Sequence, residues 1–93
     1  MPLPELDPAG VNWYSIEDGE PVELVLDYAD PTNGKNAVAR SWWHPAVRNL
    51  GGHTWRHLAD RDEAMAIAVA RNGRAAAEDD LASLEHRVRL QLA

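Results

Sequence analysis

Residues 21–28 read PVELVLDY. Successive side chains of an extended chain point to opposite faces, so Val22, Leu24, Leu26 and Tyr28 share one side and Glu23, Val25 and Asp27 the other. The pattern predicts a strand with its first side on a core and its second mostly wet. Everything else in the 93 residues is placed by reference to it.

Toward the N-terminus lies EDGE (17–20), with Asp18-Gly19 as a turn signal, and before it VNWYSI (11–16), rich in strand formers. These predict a hairpin. Pro2, Pro4 and Pro8 make residues 1–10 an extended arm ahead of a single domain at 11–93. Toward the C-terminus, DPTNGKN (30–36) is turn chemistry around Asn33-Gly34. AVARSWW (37–43) then returns as an antiparallel partner. HPAVRNLGG (44–52) is a loop, and HTWRHL (53–58) a fourth short strand.

Two helices close the chain. Asp60 is a suitable N-cap, and Glu63 completes a box-like Asp-x-x-Glu pattern. Ala64, Met65, Ile67, Ala68 and Val69 form the apolar side, and Asn72-Gly73 supplies a stop. From about Ala75 to Leu92, the residues Leu81, Leu84, Val88 and Leu92 give a narrow stripe that fits a sheet or a second copy of itself. The expected fold class is α+β: a small antiparallel meander of three or four strands, with two C-terminal helices packed on one face. Trp42 and Trp43 are neighbours in the third strand. One of them would join the core and the other would stand on the uncovered face.

Composition narrows the chemistry. Apolar residues make up 45% of the chain, enough for one modest core. No apolar run approaches the roughly 18 residues of a membrane span. MPLPELDPAG is not a secretory leader, so a cytoplasmic setting is the simplest reading. The absence of cysteine excludes disulfides, thiolate catalysis and thiolate metal sites. There is no nucleophile elbow, phosphate-binding lysine motif or dinucleotide fingerprint, and no enzyme activity or cofactor is expected. His44, His53 and His57 are the one candidate metal set. On a strand, however, His53 and His57 would stand roughly 13 Å apart, so loop and surface histidines are the better reading and no metal is expected.

The net charge of −6 hides a segregation. Residues 1–33 carry eight acids and no Lys or Arg, whereas residues 34–59 carry Lys35, Arg40, Arg48 and Arg56 and no acid. One consequence is internal: an acidic strand neutralised by a basic neighbour. Another is external. Arg40, Trp42, Trp43, His44, Arg48, His53, Trp55, Arg56 and His57 interleave aromatic and basic side chains within 40–57. Trp and Arg anchor protein interfaces; aromatic rings with arginines also bind single-stranded nucleic acid. Nucleic acid binding gains mostly from phosphate neutralisation, which an acidic protein supplies poorly.

The expected function is therefore a small non-catalytic regulator, inhibitor or adaptor that binds a larger protein. Arg40, Trp42, Trp43, Trp55 and Arg56 would form the anchor, and Glu17, Asp18, Glu20, Glu23 and Asp27 an acidic surface facing a basic groove. A phage or mobile-element inhibitor of a host nucleic-acid-binding complex, such as an anti-CRISPR, has this size and acidity. The alternative is a single-stranded nucleic acid binder using the same strip. No membrane partner is expected, and the chain would be a monomer or a homodimer through the C-terminal helix.

Ser41-Trp42-Trp43-His44-Pro45, followed by Gly52-His53-Thr54-Trp55 and a helix from Asp60, resembles the MbtH-like proteins. That family carries a Ser-Leu-Trp-Pro motif, a Gly-Trp and a helix after a three-stranded antiparallel sheet. The resemblance covers about a third of the chain. A histidine splits Trp43 from Pro45, two residues split Gly52 from Trp55, and the family's closing Trp-Thr-Asp-x-Arg-Pro is absent. It implies an adaptor that docks on an adenylation domain of a peptide synthetase.

Overall fold

The structure, a computed structural model, describes residues 10–19, 21–29, 34–41 and 52–92. Residues 1–9 of the proposed 1–10 arm and the Trp42-Trp43 pair lie outside these residues. The chain forms β1 (Val11–Ile16), β2 (Glu23–Ala29), β3 (Asn36–Arg40), β4 (Trp55–Leu58), α1 (Arg61–Asn72) and α2 (Arg74–Leu92). The four strands make one antiparallel sheet in the order β3-β2-β1-β4. β1, β2 and β3 are a meander, while β4 returns to the other side of β1. Both helices pack on one face, giving the expected α+β architecture.

The alternation in β2 sets that face. Leu24, Leu26 and Tyr28 join Trp13, Ala39 and Leu58 from the neighbouring strands and Ala64, Ala68, Ala77, Leu81, Leu84 and Val88 from the helices in one buried cluster. Full burial of a leucine stabilises the fold by about 1.5–3 kcal/mol, and Leu24, Leu26, Leu58, Leu81 and Leu84 are all nearly inaccessible. Leu81, Leu84 and Val88 of the α2 stripe are thus consumed within the chain. A homodimer through Leu81, Leu84 and Val88 would have to uncover this core.

The second face differs from the expectation that it is mostly wet. Val25 is fully buried there, and Ile16 nearly so. Register gives the reason. Val25 lies between Tyr14 of β1 and Arg40 of β3, and Ile16 lies between Glu23 and Trp55. Large cross-strand neighbours flank both aliphatic side chains.

Side chains also decide where elements begin and end. β2 starts at Glu23, after Val22, because Asn72 at the end of α1 takes both backbone groups of Val22: Val22 N–H donates to Oδ1 (2.7 Å) and Nδ2 donates to Val22 C=O (2.8 Å). Asp60 caps α1 by accepting from Glu63 N–H at 2.9 Å, and Glu63 Oε2 accepts from Ala59 N–H at 3.0 Å, so the Asp-x-x-Glu box is built much as expected. Gly73 alone separates the helices. Its φ of 92° is open to glycine and costly for other residues.

Candidate docking surface on strand β4

β4 is an edge strand, paired only with β1 among the described residues. Leu58 faces the helices, so Trp55 and His57, an odd number of residues away, face outward. Trp55 is 47% exposed, and with Leu90 it is one of two large apolar side chains that stand in solvent among the described residues. It is not loose. Its ring meets Tyr14 edge-to-face at a centroid distance of 4.9 Å and 76°. His57, directly across from Tyr14, packs on it at 5.1 Å and 62°. The three rings form a braced outward surface, with Tyr14 held between its two neighbours.

Acidic residues of the β1–β2 turn fasten the start of β4. Glu17 lies between two arginines, with Oε2 at 3.1 Å from Arg56 Nη2 and Oε1 at 3.6 Å from Arg71 Nη1. Asp18 accepts from Thr54 N–H and pairs through Oδ2 with His53 Nδ1 at 2.5 Å. The Thr54 N–H first, and His53 second, hold the Asp18 carboxyl below its ordinary value. These contacts occupy residues 53 and 54, which is why the strand begins at Trp55.

The anticipated binding residues have different fates. Trp55 and Arg56 are exposed on β4. Arg40 is not: it is 5% exposed and forms a two-pronged pair with Glu23 (Nε to Oε1 2.6 Å, Nη2 to Oε2 2.5 Å). The expectation of Arg40 as an exposed anchor is corrected accordingly. β2–β3 pairing sets these two charges diagonally across the strands, where each satisfies the other. Glu17, Asp18 and Glu23 are likewise engaged within the chain, so they do not form a free acidic surface. Asp27 is half-buried beside Asn12, and its Oδ1 lacks a hydrogen-bond partner among the described residues. Burial raises its carboxyl above the ordinary value, against a smaller opposing effect of an Asn12 hydrogen bond. Glu20, Trp42 and Trp43, with His44 and Arg48, lie outside the described residues.

Among the described residues, no three His, Cys, Asp or Glu side chains converge as a metal cage requires. Their helices include none long and apolar enough to cross a membrane. Tyr14 is the surface residue that sequence reasoning missed. The clue was present in VNWYSI: once Trp13 is assigned to the core, Tyr14 must face outward.

Compared with family models, curated proteins and solved structures, the chain matches none of them. The part of the MbtH-like resemblance carried by Trp42 to Pro45 lies outside the described residues.

Proposed function

We propose that this is a non-catalytic binding domain, a regulator, inhibitor or adaptor, that docks on a larger protein through the Tyr14–Trp55–His57 surface of β4. One observation carries the reading: a tryptophan 47% exposed on an edge strand, braced edge-to-face by Tyr14. Exposed, pre-ordered aromatics are the usual anchors of protein interfaces and lose little side-chain freedom on binding.

Charge favours a protein partner over nucleic acid. The arginines flanking the aromatic strip already have carboxylate partners, Arg56 with Glu17 and Arg40 with Glu23. Among the described residues of the strip, little positive charge is left for phosphates, whose neutralisation supplies most nucleic acid affinity. The acidic-mimic form of the reading, including the anti-CRISPR version, loses support for the same reason.

The test is site-specific photo-cross-linking in the source cells. Benzoylphenylalanine replaces Trp55 in one variant and Ala82, on the outward side of α2, in another. A discrete protein adduct from position 55 and none from 82 supports the reading. Equal adducts from both, or none from either, overturn it. An adduct to RNA or DNA at position 55, with salt-sensitive quenching of tryptophan fluorescence by single-stranded DNA, would replace it with the nucleic acid reading.

A further inference from the structure

We propose that the partner contributes an extended segment that joins the sheet as a fifth strand beside β4, with an acidic residue between two apolar or aromatic ones. This rests on the docking reading above and names the chemistry of the partner.

The backbone comes first. Glu17 N–H donates to Thr54 C=O at 2.8 Å. That bond puts 17 and 54 at a hydrogen-bonding position of the ladder, with Thr54 N–H taken by Asp18 in place of the return bond, and alternation makes 15 with 56 and 13 with 58 the next such positions. The N–H and C=O groups of Trp55 and His57 therefore point away from β1, toward the open edge. No described strand lies there.

The other edge, on β3, is capped at one end, and Val38 turns its backbone groups outward there as Trp55 and His57 do on β4. On β3, Ser41 N–H donates to Leu24 C=O, so by the same alternation the Arg40 carbonyl turns outward. Arg87 Nη2, reaching from α2, donates to it at 2.6 Å. Past His57, the next outward donor is Ala59 N–H, and Glu63 takes it. Arg87 and Glu63 each close one end of an edge, and among the described residues no group takes the two donors and two acceptors of Trp55 and His57. An edge of this kind is a template for strand addition.

The side chains select what is added. Arg56 lies between the two open residues, on the helix-facing side, with its side chain 57% exposed; the Glu17 carboxylate it pairs with is shared with Arg71, so the three groups together keep one positive charge. A second copy could use both open residues only by pairing 55 with 57 of its partner, which sets Arg56 directly opposite Arg56. Like charges in that position destabilise a strand pair, and opposite charges stabilise it. The edge is thus biased against itself and toward a strand with Asp or Glu at that place. Trp55 and His57 favour aromatic or β-branched residues on either side of the acid, since such cross-strand pairs are the stabilising ones.

The probe is a fluorescein-labelled seven-residue peptide, Thr-Thr-Val-Glu-Val-Thr-Thr, titrated with the whole protein and followed by anisotropy. One control has Lys in place of Glu, and a second carries N-methyl groups on both valine amides. The Glu peptide is expected to bind on the order of tenfold tighter than the Lys peptide, and N-methylation should abolish binding. Arg56→Glu should reverse the Glu/Lys preference. Should that variant fail to fold, Arg56→Gln should erase the preference, and the N-methyl comparison needs only the wild-type protein. Absence of Glu-peptide binding, tolerance of N-methylation, or a preference indifferent to Arg56 would each overturn the proposal. If position 55 still cross-links to a protein in cells, those results refute strand addition and leave the docking reading standing.

Discussion

Arg40 and Glu23 are two charges 6% and 12% exposed, held by two short hydrogen bonds on the face away from the helices. Removing one member of such a pair strands the other in a poorly solvated place and costs about 3–5 kcal/mol, whereas replacing both with apolar side chains is often neutral. Arg40→Ala should therefore destabilise strongly, while the double change Glu23→Leu with Arg40→Met should recover most of the loss. Urea unfolding of the three proteins checks this; a double variant no better than the single one would sink it. Asp18 makes a second residue-scale prediction. Its folded carboxyl is held below the ordinary 3.8, so its stabilising contribution is complete above that value and is lost as pH falls through the lowered one. Asp27 and Asp80 act oppositely. Burial raises both, helped at Asp80 by the charge of Asp79, so each disfavours the fold when ionised and stops doing so on acidification. Asp18→Asn should melt earlier than wild type near neutral pH, with the gap closing toward pH 2. A gap constant across that range would refute the linkage. Charge segregation and the neutralisation of an acidic strand by a basic neighbour were visible in the sequence, but which charges meet was not. Register brings Glu23 to Arg40 and Glu17 to Arg56, and register needs the assembled sheet.

At the scale of elements, what is local was legible. The alternation of β2, the Asp60–Glu63 box, the stop at Gly73 and the apolar stripe of α2 all follow from neighbours within one or two turns. What fails to follow is long-range. Asn72 is fifty residues from Val22 and sets where β2 begins. Asp18 is some thirty-five residues from His53 and Thr54 and sets where β4 begins. Neither contact has a local signature, because Asn at a helix end and Asp in a turn are also what local rules favour. The outer face was misread for a related reason. Alternation says which way Val25 points, and only the identity of Tyr14 and Arg40 on either side says that it is covered. Of the candidate site, Trp55 and Arg56 were legible as an aromatic-basic pair, but their place on an open edge required knowing that β4 pairs with β1.

For the whole molecule, the two helices act as one lid on the sheet. Arg61 of α1 reaches the buried carboxylate of Glu85 on α2 at 2.9 Å and ties the pair together, while Arg89, one turn along α2, steadies the same carboxylate at 3.4 Å. All the chain between them is Gly73, whose N–H bonds back to Val69 C=O while its carbonyl accepts from Ala77 N–H. One residue thus ends one helix and starts the next, in a conformation that costs an alanine about 1–3 kcal/mol but that an unbroken helix would not ask of it. The added Cβ would meet nothing within 4 Å, so the penalty is one of backbone alone. Relieved by straightening, Arg61 to Leu92 would become one rod and carry Leu81, Leu84 and Val88 off their own sheet. The identical sheet of another molecule offers the same seat. Gly73→Ala should therefore convert the protein into a domain-exchanged dimer, visible by light scattering after refolding at high concentration. A variant that stays monomeric and merely melts earlier would show the turn to be held by the helix packing and not by its glycine. On this prediction, the backbone freedom of Gly73 decides whether the helices close on their own sheet or on another's.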